Sequence, residues 1–157
     1  MARGRVRTDI VIDAPAEAVW ARLSDIADHV SWMADAAAIR FNGERRSGVG
    51  TRFDCETRVG PLRTTDVMEV TEWREGEVLG VRHAGLVTGT GRFLVAPEPG
   101  QPGRTRLTWD ENLTFPWWLG GRAGAFVARP VLRAVWRGNL RRFAGLVAVP
   151  AAPERGA

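Results

Sequence analysis

Three residues have side chains whose chemistry matters where they stand: Glu111, His83 and Asp66. Trp109 and Leu113 lie two residues to either side of Glu111, so in a strand of period two all three share a face. A carboxylate on such an apolar face must be desolvated or paired. A desolvated acid is suited to general acid or base work in a cyclisation or dehydration. Two alternatives stand beside that reading: a bulge turns Asp110 inward instead, or an arginine such as Arg92 neutralises Glu111 in a structural ion pair. Asp66 carries the same ambiguity between the two sides of its strand. His83 shares a face with Leu79 and Val81, and either relays a proton or binds a ligand oxygen there, or is a satisfied core or rim residue. His29, near Trp32, is predicted to be exposed.

Composition removes several other chemistries. All 22 basic residues are arginine, so no lysine is present for a Schiff base or a P-loop. Tyrosine is absent, and the serines Ser24, Ser31 and Ser47 lie in no G-x-S-x-G motif, which argues against a serine hydrolase. The single cysteine, Cys55, cannot form an intramolecular disulfide. A metal site would need His83, Cys55 and Glu111 to converge without any local spacing motif, so neither a metal nor another cofactor is expected. No apolar run reaches the ~18 residues of a membrane span, and the N-terminus lacks the apolar region of a signal peptide, so a cytoplasmic location is expected.

Alternation along the chain supplies the elements that would position these groups. Val6, Thr8, Ile10 and Ile12 alternate with Arg7, Asp9 and Val11 as in a half-buried strand. Pro15 then opens a helix with Val19, Trp20 and Leu23 on one face, and Asp25 caps a second short helix to Met33. From Asp35 nearly to Phe115 the chain reads as strands: Thr51 to Val59, Leu62 to Trp73, Val78 to His83, Val87 to Val95 and Thr105 to Thr114, joined at Gly60-Pro61, Glu75-Gly76 and the loop from Pro97 to Gly103. Leu132, Trp136, Leu140, Phe143 and Val147 recur at helical spacing, and Pro130 is expected to break this helix, leaving an irregular segment before Arg129. At 157 residues the chain is expected to form one domain over residues 1–148, with a frayed tail over 149–157.

A curved antiparallel sheet cannot bury its concave face alone, and the terminal helix is the element left to cover it, so an α+β helix-grip architecture with an internal cavity is expected. Alternation assigns Phe53, Cys55, Thr57, Leu79, Val81, Phe93, Leu107, Trp109 and Leu113 to the cavity, together with Thr51 and Val95. Leu132, Trp136, Leu140 and Phe143 face them from the helix. Such an apolar lining with few polar groups suits a hydrophobic small molecule. Of the adjacent Trp117 and Trp118, Trp118 is assigned to the pocket as a gate, with a dimer contact or a membrane-facing edge as alternatives. Arg129, Arg133, Arg137 and Arg141 form a stripe with Arg142 beside it. The stripe is read mainly as a solvated face, and contact with nucleic acid is not expected, while transient contact with a membrane stays open. Oligomeric state has no signature.

The opening strand followed by Ala14-Pro15-Ala16-Glu17-Ala18-Val19-Trp20, then Leu23-Ser24-Asp25, Trp32, Gly48-Val49-Gly50-Thr51-Arg52 and Gly103-Arg104-Thr105-Arg106-Leu107-Thr108-Trp109, resembles the polyketide cyclase/dehydrase and lipid-transfer (START-related, SRPBCC) superfamily from about Val6 to Val147. The resemblance implies the helix-grip fold. For function it implies binding of a lipid, isoprenoid or polyketide-like molecule in the cavity. Alternatives are a cofactor-independent aromatase/cyclase or dehydratase using Glu111 or Asp66 with His83, and an interaction protein using the arginine stripe and the tryptophan pair. Fold does not decide among these.

Overall fold

The alternating segments form seven strands: β1 (Gly4–Ile12), β2 (Ala36–Phe41), β3 (Arg52–Val59), β4 (Leu62–Arg74), β5 (Val78–Ala84), β6 (Thr88–Pro97) and β7 (Thr105–Thr114). In this computed structural model, which describes residues 4–148, they build one antiparallel sheet in the order β1-β7-β6-β5-β4-β3-β2. Between β1 and β2 lie α1 (Ala16–Leu23), a 3-10 turn (Ile26–Asp28) and α2 (His29–Trp32). A second 3-10 turn (Trp117–Leu119) leads into the long α3 (Gly121–Val147). The predicted tail over 149–157 lies outside the described residues.

Register shifts between Ala36 and Ala38 in β2, and between Val70 and Glu72 in β4, are bulges that bend the sheet. The bent sheet grips α3, which makes most of its strand contacts with β1 and β7. At one end the grip is closed by aromatic edges: Trp32 meets Phe143, Phe93 and Trp109 at ring-centroid distances of 5.0, 6.0 and 6.1 Å. Trp136 stacks on Trp109 at 5.2 Å. Facing β3 to β5, the sheet and helix do not close, and a cavity remains between them.

Two expectations are corrected here. Pro130 does not break the terminal helix, which runs unbroken from Gly121 to Val147. A helical proline forfeits one backbone bond and strains the preceding turn, but Ala128 and Leu132 on either side of Pro130 face the cavity while the proline itself points to solvent, so burial of the inner face holds the helix together. His29 is buried rather than exposed, because its ring fills the space beside Trp32 and Phe93 and its Nε2 bonds the Leu23 carbonyl at 2.7 Å.

Candidate functional site

The cavity holds about 270 Å³. Of the predicted lining residues, Phe53, Cys55, Thr57, Leu79, Val81, Phe93, Trp109, Leu113, Leu132 and Trp136 surround it, joined by Glu111, His83 and Asp66. Leu107 and Leu140 do not reach it: both are fully buried in the solid part of the core, as are Thr51 and Phe143, with Val95 nearly so. Alternation tells an inward residue from an outward one but not a packed position from one beside a void. Trp118 is also no part of the lining. It sits in the 3-10 turn and is 55% exposed, with Trp117 at 86%.

Several lining residues were missed from sequence. Met68 and Thr64 share the alternation of Asp66 on β4 and were legible there, whereas Ile26, Met33 and Ile39 enter through the short helices and β2, where periodicity is too brief to give a face. Ala128 falls in the segment expected to be irregular before Arg129, and Val131 lies in the expected helix but at the edge of its apolar face, where it is 53% exposed.

The polar end of the cavity is built by register. Glu111 on β7 pairs with Gly91 on β6, and His83 on β5 pairs with Gly89 on β6. Paired residues point to the same side of a sheet, so β6 presents two bare positions between Glu111 and His83. The two side chains meet across that strip, with His83 Nε2 3.2 Å from Glu111 Oε2. On its other side the His83 ring donates from Nδ1 to Asp66 Oδ2 at 2.9 Å, and Trp109 Nε1 donates to Glu111 Oε1 at 2.8 Å. Nε2 and Oε2 are close enough to form an ion pair but are misaligned for a hydrogen bond. Both atoms are buried, and neither has an aligned hydrogen-bond partner among the described residues.

Neither alternative reading of Glu111 holds. Asp110 points outward to the Arg5 guanidinium, and Arg92 pairs on the outer face with Glu72 at 2.9 Å. Burial pushes the pKa of His83 down, but the Asp66 hydrogen bond and the charges of Glu111 and Asp66 outweigh it and raise the value to about 10. His29 goes the other way: burial holds its pKa below the usual histidine value against the Leu23 carbonyl bond. That carbonyl can only accept, so Nε2 carries the His29 proton. Burial also raises the Cys55 thiol to about 11, which leaves it a protonated, unreactive wall group. Among the described residues no cluster suited to a metal ion is found.

A sequence model described as polyketide cyclase/dehydrase and lipid transport matches residues 3–148. The chain belongs to this family. No curated protein sequence matches the chain significantly. Among solved structures, the polyketide cyclase/dehydrase family member described here is similar to the Zhui aromatase/cyclase from Streptomyces sp. R1128, at 20% identity and a TM-score of 0.71 over 99% of this chain and 100% of that one. It is similar to a Thermus thermophilus protein at 18% identity and a TM-score of 0.74, covering 94% and 99%. A START superfamily protein from Mycobacterium smegmatis matches at 14% identity and a TM-score of 0.67, covering 92% and 93%. At these identities the likeness is one of fold, the helix-grip fold. Among the described residues no helix is long and apolar enough to cross a membrane.

Proposed function

We infer that this member of the polyketide cyclase/dehydrase and lipid transport family binds a hydrophobic small molecule in the cavity between sheet and α3, oriented by the Asp66–His83–Glu111 group. The observation that carries this reading is the cavity itself: a partly open, largely apolar lining with one cluster of convergent polar side chains, the combination by which proteins hold and orient small apolar ligands. The family description and the fold support it. A neutral environment-sensitive naphthylamine dye tests it. The dye should bind the parent protein, and Thr57→Trp, which fills the cavity from β3, should abolish the signal. Equal binding by parent and variant would place the dye elsewhere and remove the cavity from the reading.

Catalysis of a cyclisation or dehydration is the second reading, favoured by the chain of two carboxylates, Glu111 buried and Asp66 partly so, around one buried histidine. A group is most effective in proton transfer when its pKa lies near the working pH. His83, at about 10, stays an imidazolium near neutrality, so its role in such a reaction is to stabilise developing negative charge on a ligand oxygen, with Glu111 left as the base. Glu111→Gln should then eliminate turnover of a candidate polyketide while dye binding persists.

A membrane surface as the place of ligand exchange is favoured by a third observation. Trp117, Trp118, Phe126, Val127 and Val131 are exposed, and Val131 also lines the cavity. From residue 112 to residue 148 the sequence holds six arginines and no carboxylate. Exposed tryptophans beside arginines suit the headgroup region of an anionic bilayer.

A further inference from the structure

The chain carries 22 arginines, and its outer surface pairs many of them with carboxylates: Arg5 with Asp110, Arg82 with Glu69, Arg92 with Glu72, Arg106 with Glu98. The cavity is the reverse. Among the described residues no arginine lines it, whereas three carboxylates do: Asp35, Asp66 and Glu111. Asp35 is held by Asn139 Nδ2 at 2.7 Å, Asp66 by His83 Nδ1, and Glu111 by Trp109 Nε1 and the neighbouring imidazole. Among the described lining residues His83 supplies the one cation against these three anions, so the wall is negative overall. Buried charges interact strongly because little water screens them.

A second, independent feature says what can sit there. His83 and Glu111 both line the cavity, and their Nε2 and Oε2 atoms, buried on side chains that are 9% and 5% exposed, form an ion pair at 3.2 Å in which neither atom has an aligned hydrogen-bond partner. One offers a proton and the other accepts one. A single ligand oxygen within reach of both, accepting from Nε2 and donating its own hydrogen to Oε2, satisfies the pair at once. A carboxylate can only accept, so it leaves Oε2 unpaired and brings a fourth negative charge into the cavity. An ammonium can only donate, so it leaves Nε2 unpaired beside a second cation.

We propose that the cavity selects neutral hydrophobic molecules bearing a hydroxyl group, an alcohol, phenol or enol, and rejects carboxylates of the same shape, because its polar end is an ion-paired donor and acceptor with hydrogen-bonding capacity left over, in a wall whose described residues include carboxylates and no arginine. This rests on the reading of the cavity as the ligand site and names the class of ligand. Aliphatic acids are thereby excluded as cargo, although they share the apolar body of the accepted ligands.

Three probes with one apolar body separate the possibilities: naphthalene, naphthol, which as a phenol is neutral at about pH 7, and naphthoate. Each competes with the neutral naphthylamine dye on the full chain. Naphthol should bind tighter than naphthalene, and naphthoate should bind at least about tenfold more weakly than naphthol, a gap of the size expected for one buried unpaired polar group. In Glu111→Gln the charge is lost, and with the amide oxygen kept on Trp109 Nε1 a donor stands where Oε2 accepted, so the naphthol-to-naphthoate ratio should fall toward one. Asp35→Asn, away from the histidine, removes one wall charge and should raise the affinity for naphthoate relative to naphthol. If naphthalene displaces the dye and naphthoate binds as tightly as naphthol, the selectivity proposed here is wrong and the cavity reading stands. If naphthalene and naphthol both fail to displace the dye, the cavity reading fails and takes this proposal with it.

Discussion

Gly91 faces Glu111 across the ladder between β6 and β7, and a methyl group on Gly91 would lie 2.4 Å from Glu111 Oε1. The missing side chain is therefore what lets the carboxylate lie flat over β6 toward His83. Glycine inside a strand is otherwise a cost of about 0.5–1 kcal/mol relative to alanine. At Gly91 the steric term opposes that gain, and it wins because the carboxylate that must move is buried, bonded to Trp109 Nε1 and ion-paired with His83.

Gly91→Ala should accordingly destabilise the protein by about 1–3 kcal/mol, the cost of overpacking, rather than stabilise it. It should also lower the pKa of His83, because a displaced Glu111 no longer offsets burial. Chemical denaturation and a titration of the histidine ring signals by NMR measure the two effects. A stabilised variant with an unchanged His83 titration would show that Gly91 does not position the carboxylate.

Stability should fall on the alkaline side, and the sign follows from the direction of two shifts. His83 titrates near 10 in the folded chain against about 6.5 when unfolded, so its contribution is complete below pH 6.5 and is lost as pH rises toward 10. Cys55, raised from 9.0 to about 11, adds a further loss between those values, because the unfolded thiol ionises first. His29 acts at the other end: its folded pKa is depressed, so acidification below its unfolded value favours the unfolded chain. Denaturation midpoints measured across this range should be highest near pH 6.5. In His83→Ala the decline between about pH 6.5 and 9 should flatten, whereas an unaltered decline would mean that His83 is not held protonated.

The strands and the inward set were legible because alternation is a local signal that survives folding: Phe53, Cys55 and Trp109 point inward, while Arg52 faces water. What period two could not give is depth. Leu107 and Trp109 lie on one face of one strand, yet the first is packed solid and the second walls the void, because that depends on where α3 stands off the sheet. The Asp66–His83–Glu111 contacts were hidden for a related reason, since they join β4, β5 and β7 and need the strand order. One sign was in view: Gly89 and Gly91 inside a strand mark a close approach by another group. At Pro130 a local rule was overridden by tertiary burial, which no local window contains.

Cys55 should resist modification. Its side chain is buried on the cavity wall, and with a pKa of about 11 its thiolate fraction at neutral pH is about a hundredfold below that of the ordinary thiol. A bulky maleimide should therefore label native protein far more slowly than denatured protein, followed by mass spectrometry. Equal rates would mean that β3 presents its other face.

Arg133 and Arg137 lie on the solvent side of α3, where Arg133 approaches the Arg7 carbonyl at 3.5 Å. Reversing both charges should leave folding within about 0.5 kcal/mol of the parent, as for other exposed positions, and should leave dye affinity in the cavity unchanged. Membrane contact is a separate matter. Each arginine near an anionic surface contributes about 1 kcal/mol, so if α3 meets lipid through this face the double reversal should reduce binding to phosphatidylcholine vesicles containing phosphatidylglycerol by more than about tenfold. Trp117→Ser should weaken the same binding through lost apolar burial, and should do so on neutral vesicles as well. Sedimentation with the two vesicle types separates these terms. Vesicle binding that neither variant alters would assign Trp117 and the arginine stripe to a solvated face.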